Sequence, residues 1–348
     1  PRHLSPIQNG ALKKWCPARH SAIARRLADE STAQRPPTPL AARTTSRWVR
    51  SVPRSPLSTH HSPWYECGEH VRRNEVLKID LGPVQETLML PLWARARETE
   101  KGTPVVRDPY AKGIVERVDY DFSQIEEGPA AQHQGVWALR AYNFDKITEA
   151  FLEKNRGAVV VNIGAGLDTS FQRVDEGSVQ WINIDLPDVV ALRQKLIPDS
   201  EREMTIAKSI FDFTWIDDIS RWTKGRSILF MAAGVLCYFE AREVENLFRR
   251  LSETFPSSHV IFDAMSRFVA WGTNREIIKK SGFDASTLIK WPLKSASNLR
   301  RWVDTIKVVE EYPMLSRVPA RNGFSKKEIA QIKITGLFRL YNMIHVQL

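Results

Sequence analysis

Apolar positions first fall into a regular pattern near residue 85. Residues 85–97 and 132–152 repeat them at three- and four-residue spacing, the period of an amphipathic helix, and residues 104–115 lead from a turn into another helical run. From residue 158 the period changes. Short runs rich in β-branched and apolar residues at 158–163, 180–184, 204–208, 227–232 and 258–263 read as buried strands, with helical patterns at 187–197, 241–254 and 267–280 between them. That alternation predicts a parallel sheet wrapped by helices. Two further β-type segments, 306–311 and 336–347, predict a final hairpin-like pair and a seven-stranded sheet in all. The helices ahead of the first strand, over about 83–155, form a cap.

Residues 1–75 show no sustained period of 3.6 or 2. They contain Arg35-Pro36-Pro37-Thr38-Pro39 and a Pro/Ser-rich stretch at 51–63, too little apolar surface to offset the entropy of ordering it. The segment reads as a disordered tail, with a short helix at most around 22–30. It also holds the charge. Of the formal net charge of +10, the tail carries 13 Lys/Arg against 5 Asp/Glu, a surplus of 8, which leaves +2 for residues 76–348. A basic arm for RNA or a membrane surface, and an organellar transit peptide, are alternative readings of such a tail. Its Trp48 and Trp64 do not alternate with basic residues as a stacking platform for nucleic acid would.

A chain of 348 residues with 43% apolar content can bury a sizeable core. No window approaches the apolar length of a membrane span, and no early segment has the apolar core of a secretory signal. Cys16, Cys67 and Cys237 are too few and too scattered for a disulfide framework or a metal cluster. A reducing cytoplasm is the expected compartment, and the expected partner is a small molecule, with neither membrane nor nucleic acid.

The chemistry concentrates at the first strand. In Ala158-Val159-Val160-Val161-Asn162-Ile163-Gly164-Ala165-Gly166-Leu167-Asp168-Thr169 an apolar run stops at two glycines and restarts as a helix, so Gly164 and Gly166 would let the backbone turn tightly and approach a ligand. About twenty residues on, the second strand ends in Asp185, where a carboxylate can grip a ribose diol. NAD-type and S-adenosylmethionine-type folds share this pattern. Thr169 takes the third small position of a dinucleotide fingerprint, which argues against NAD. Asp168 reads as a charge favouring the positive end of the following helix.

Read in order, these segments resemble the leucine carboxyl methyltransferase family, and within it the bacterial tetracenomycin polyketide O-methyltransferase-like branch. The resemblance runs from about residue 85 to 348. Its blocks are Thr87-Leu88-Met89-Leu90-Pro91-Leu92-Trp93-Ala94-Arg95-Ala96, Asp108-Pro109-Tyr110-Ala111, Val118-Asp119-Tyr120-Asp121-Phe122, Ala138-Leu139-Arg140, the glycine turn, Asp185-Leu186-Pro187 and Gly234-Val235-Leu236-Cys237-Tyr238-Phe239. It implies a Rossmann-like class I methyltransferase fold and methyl transfer from S-adenosylmethionine to a carboxylate or hydroxyl oxygen. It also implies cofactor contacts from Arg140, Gly164, Ala165, Gly166, Asp185, Leu186, Asp212, Phe213 and Ala233. Arg140 would meet the cofactor's carboxylate, Asp212 its adenine amine and Phe213 the ring, although Asp212 could equally cap the helix that follows. Where the family often carries a glutamate, this chain has Ala233. Tyr238, His133 and Arg95 are candidates for acceptor chemistry, His133 as a base if the acceptor is a phenol and Arg95 to steer a carboxylate; Tyr110 is a candidate wall residue.

Overall fold

A computed structural model of the chain describes residues 76–79, 87–275, 288–318 and 326–348. The chain divides into two compact units, Pro1–Gly68 and Glu69–Leu348. The first, and with it most of the expected tail and its short helix, lies outside the described residues.

In the second unit the longer helices ahead of the sheet are α1 (Met89–Thr99), α2 (Pro109–Val115) and α3 (Gln134–Lys154), with short helical turns at Ser123–Glu126 and Pro129–His133 before α3. Asp108 caps α2 by accepting the Ala111 N–H at 2.9 Å, with Pro109 in the first turn, where a missing N–H costs nothing. Next come β1 (Val159–Ile163), α4 (Ser170–Val174), β2 (Gln180–Asp185), α5 (Pro187–Leu196) and β3 (Glu203–Ala207). They are followed by α6 (Thr214–Thr223), β4 (Ile228–Ala232), α7 (Ala241–Thr254), β5 (His259–Met265) and α8 (Arg267–Thr273). The chain closes with β6 (Lys307–Pro313), α9 (Lys326–Leu337) and β7 (Tyr341–Gln347). No helix among the described residues is long and apolar enough to cross a membrane.

The strands form one seven-stranded sheet in the order β3-β2-β1-β4-β5-β7-β6. The first five run parallel, and β7 lies antiparallel to both of its neighbours. Strand residues alternate between two cores as the pleat requires. Val159, Val161 and Ile163 face Phe230, Phe248 and Phe262, while Val160 faces Phe144, Phe151 and Trp181 under α3. Helix α7 shows why its residues form a helix there. Glu240 and Glu243 make a reciprocal capping box, and Val244, Leu247, Phe248 and Leu251 line up on the buried face.

One expectation fails at the end of the chain. Residues 336–340 are not strand: Gly336 and Leu337 close α9, Arg339 turns through φ 49°, and pairing begins only at Tyr341 opposite Met265. The reason is the neighbour's length. Strand β5 stops at Met265 because Ser266 caps α8; the last backbone bond runs from the Ser266 N–H to the Leu340 carbonyl (2.9 Å), and the strand register with β5 goes no further than Tyr341. At the expected helix over 267–280, the described portion ends as α8 at Thr273, and residues 276–280 lie outside the described residues.

Candidate active site

The sheet order reverses between β1 and β4, since the chain builds outward from β1 through β2 to β3 and then returns to β4 and β5 on the other side. Loops leaving such a pair diverge and open a crevice at the carboxyl ends of the strands. A cleft lies there, with about 1060 Å3 of empty space counted to its open mouth. Gly164 after β1, Ala233 and Gly234 after β4, Asp263 and Met265 of β5, and Arg140 of α3 line one part of it. Leu88, Pro91, His133, Trp137 and Tyr238 line another.

The glycine turn is shaped from inside the protein. Gly164 and Gly166 take φ of 64° and 50°, the left-handed region in which a side chain is strained. A Cβ on Gly164 would come within 2.7 Å of Val235 and one on Gly166 within 2.7 Å of Leu88, so the room left by the missing side chains is filled by neighbours. The turn's amides bond inward too: Gly164 N–H donates to the Ile184 carbonyl (2.8 Å) and Gly166 N–H to Asp185 Oδ2 (2.6 Å).

Two buried arginines hold the carbonyls of the same turn. Arg193 Nη1 donates to Gly166 O (3.0 Å) and Asp168 O (2.6 Å), and Arg95 Nη2 donates to Leu167 O (2.8 Å). This corrects the expectation for Arg95. It is 5% exposed, paired with Asp108 at 2.8 Å, and does not reach the cleft wall; neither does Tyr110, which sits in α2. Around these arginines lies a lattice of buried charge. Arg173 pairs with Asp145 (2.7 Å) and Asp108 (2.8 Å) and faces Asp168 at 3.6 Å, and Arg193 pairs with Glu203 at 2.8 Å. Burial opposes the Asp108 and Asp168 charges, but Arg173 and Arg95 outweigh it and hold both carboxyls below the usual range. Asp168 also accepts the Ser170 N–H at the start of α4 (3.2 Å).

Asp185 ends β2 as expected and is almost fully buried. Each oxygen takes one backbone N–H, from Gly166 and from Leu186 (2.7 Å), and burial pushes its carboxyl upward despite those bonds. Ala165 and Leu186 belong to this turn and its flank. Asp212 is exposed, accepts the Thr214 N–H and hydroxyl at the head of α6, and takes the capping role. Phe213 packs against the core beside Arg250, and neither Asp212 nor Phe213 borders the cleft.

Three acceptor-side features do border it. His133 lies in the wall with its ring tilted toward Trp137, centroids 6.2 Å apart. Tyr238 shares a side-chain hydrogen bond with Thr87, and burial pushes its phenol well above the usual range; the same cause raises the Cys237 thiol. The residue that sequence reasoning missed is Asp263. Its Oδ1 accepts the Gly234 N–H at 2.5 Å, and its Oδ2 stands 3.7 Å from Arg140 Nη1. Gly234 is left-handed at φ 70°, and a Cβ there would collide with the Arg140 guanidinium. The signal was present: the apolar run Val260-Ile261-Phe262 meets an acid at Asp263, much as Ile182-Asn183-Ile184 meets Asp185, although β5 continues two residues further to Met265.

The model of the leucine carboxyl methyltransferase family matches residues 89–252. The chain is similar to the tetracenomycin polyketide synthesis O-methyltransferase TcmP of Streptomyces glaucescens, 30% identical over 239 residues, which cover 68% of this chain and 85% of that protein. It is also 31% identical over 196 residues to the S-adenosyl-L-methionine-dependent methyltransferase dpfgK of Gibberella zeae, 53% of this chain and 65% of that one. Among solved structures, a DUF574 family protein from Streptomyces avermitilis matches with a TM-score of 0.49 at 16% identity, covering 76% of this chain and 99% of that one.

Proposed function

The chain belongs to the leucine carboxyl methyltransferase family, and from that premise we propose that it transfers a methyl group from S-adenosylmethionine to an oxygen of a small molecule. The observation that carries this reading is the cleft at the sheet's reversal point, where a guanidinium, a carboxylate and a left-handed glycine turn face one space. Bound there, S-adenosylmethionine supplies an electrophilic methyl on a sulfonium. The chain's own groups match the rest of that molecule. Arg140 offers a planar fork to a carboxylate. Asp185, beside the glycine turn but not itself among the cleft's lining residues, keeps lone pairs for hydroxyls, because each of its oxygens accepts only one N–H. Residues 76–348 form the methyltransferase domain, with 83–155 as its cap.

Displacement at a methyl carbon needs alignment and a dry site more than proton transfer. Leu88, Leu90, Pro91 and Trp137 supply an apolar wall from which a bound acceptor would displace water. Cys237 and Tyr238 keep their protons at neutral pH, so Tyr238 orients an acceptor oxygen by donating a hydrogen bond. A carboxylate acceptor is already ionised and needs no base, whereas a phenol, with pKa near ~10, would depend on His133. A carboxylic acid of polyketide-like size is therefore the first acceptor class to test.

Calorimetric titration of the full chain with S-adenosylhomocysteine should give binding in the micromolar range, and NAD should give none. Binding of NAD alone would overturn the reading. Incubation with isotope-labelled S-adenosylmethionine and a cell extract, followed by mass spectrometry, then identifies the acceptor. Label released as methanol by base marks a carboxyl ester, and base-stable label marks an ether.

A further inference from the structure

We propose that Asp263 is a cofactor-binding residue, which with Arg140 forms a two-charge cradle for the zwitterionic amino-acid end of the methyl donor: Arg140 takes the carboxylate and Asp263 the ammonium. The inference rests on the reading above that the cleft holds S-adenosylmethionine.

The geometry separates this pair from the three closed, buried arginine–carboxylate pairs near the glycine turn. Arg95–Asp108, Arg173–Asp145 and Arg193–Glu203 close to 2.7–2.8 Å and are sealed from solvent. Arg140 and Asp263 stand 3.7 Å apart, beyond hydrogen-bond length, with side chains 17% and 11% exposed on the cleft wall. Asp263 Oδ1 is accounted for by the Gly234 N–H, so the backbone fixes the carboxylate in place while Oδ2 keeps lone pairs toward the cleft. The pair is held at its base by the left-handed Gly234, whose missing side chain gives the guanidinium its room.

Chemistry then narrows the ligand. A guanidinium alone suits any anion and a carboxylate alone suits any cation. The two side by side suit a group whose carboxylate and ammonium hang from one carbon, as in the methionine portion of the donor. Ala233, on the same wall, brings no charge of its own, so Asp263 is the carboxylate available there.

The test is calorimetry on the full chain with S-adenosylhomocysteine and two analogues, one without the α-amino group and one without the carboxylate. Wild type should prefer the parent ligand over the desamino analogue by about ten- to a hundred-fold, the usual worth of a charge-assisted hydrogen bond. Asp263→Asn should lose most of that preference and keep the preference for the carboxylate, and Arg140→Gln should do the reverse. If Asp263 merely supports Gly234 or Arg140, its variant weakens all three ligands alike with the wild-type ratios preserved, and the proposal is overturned. Should Asp263→Asn fail to fold, the wild-type ratio decides: indifference to the amino group overturns the proposal. Wild type that binds none of the three ligands removes the cofactor reading itself, a result distinct from loss of the amino-group preference alone.

Discussion

Two constructions of arginine and carboxylate flank the glycine turn, and they differ in what they leave unsatisfied. Beneath the turn, Arg95, Arg173 and Arg193 are locked to Asp108, Asp145 and Glu203 at 2.7–2.8 Å, and the spare N–H groups of Arg95 and Arg193 hold the turn's own carbonyls. Across the cleft, Arg140 and Asp263 use the same chemistry but stand 3.7 Å apart and partly exposed. Burial makes the first set a scaffold, because any group it left unpaired would cost several kcal/mol. Partial exposure makes the second a receptor. Its charges stay hydrated until a ligand replaces the water, so an open pair is affordable only where something binds.

The contrast can be broken most forcefully at Arg173. Arg173→Met strands Asp145 in the interior and takes one cation from Asp108 and Asp168, which keep Arg95 and the Asn162 and Ser170 hydrogen bonds respectively. Removing one partner of a buried pair costs about 3–5 kcal/mol, which for a domain of this size lowers Tm by roughly 10 °C. Differential scanning calorimetry measures it, and a drop under about 2 °C would mean the lattice is not a scaffold. Below pH 5 the deficit should shrink as the stranded carboxyl protonates.

A second lever is pH, because the lattice should hold through mildly acid conditions. Asp108 and Asp168 titrate below the usual carboxylate range in the folded chain, so their stabilisation is lost only as pH falls below about 4. Any earlier loss belongs to another site. His345 on β7 meets His259 on β5 at 2.8 Å, and burial, reinforced by that neighbour, holds His345 down at about 4. The unfolded chain takes up the proton near ~6.5 and the folded chain does not. Stability is therefore full above pH 6.5 and falls by about 2–3 kcal/mol on the way to pH 4. Urea unfolding at pH 7.5 and 4.5 should show the drop in wild type and a flatter response in His345→Gln. Equal slopes would assign the loss to the lattice.

Arg140→Gln sharpens the comparison from the other side. Its side chain is partly exposed and its ion pair long, so the melting temperature should move by no more than about 2 °C, while affinity for S-adenosylhomocysteine falls about ten- to a hundred-fold. A large stability loss with unchanged affinity would reverse the roles assigned to the two constructions.

Much of this frame was legible along the chain because it rests on local regularities. The two-residue pleat of β1 and the 3.6-residue stripe of α7 survive folding unchanged, and Gly164, Gly166 and Asp185 announce a turn at a strand end. What stayed hidden depends on distant contacts. Arg95 reads as a candidate to steer an acceptor carboxylate or lie against the cofactor until Leu167, 72 positions away, is seen against it. Arg193 looks like a cation at a helix C-terminus, yet it is 1% exposed and carries the turn. Asp263 escaped because an acid after an apolar run commonly marks a loop, and only the fold reveals that this one lies within β5 on the wall of the cleft. The strand expected at 336–340 failed for a related reason: a β pattern needs a neighbour of equal length, and β5 is too short to supply one.

The finest division between scaffold and receptor falls at the glycines. Gly166 and Gly234 are both left-handed, so an alanine at either carries a conformational cost of about 1–2 kcal/mol. They differ in what the new methyl meets. At Gly166 it strikes Leu88, an apolar side chain from the cap that can shift a few tenths of an ångström. At Gly234 it strikes the Arg140 guanidinium, which must swing away from Asp263 to make room. The two variants should therefore lose similar stability, but Gly234→Ala should also weaken S-adenosylhomocysteine binding several-fold beyond Gly166→Ala, with the excess vanishing in an Arg140→Gln background. Calorimetry on the single and double variants measures that coupling. Were the losses at Gly234 and Arg140 to add independently, the glycine would be acting through the turn alone and the cradle would need another support.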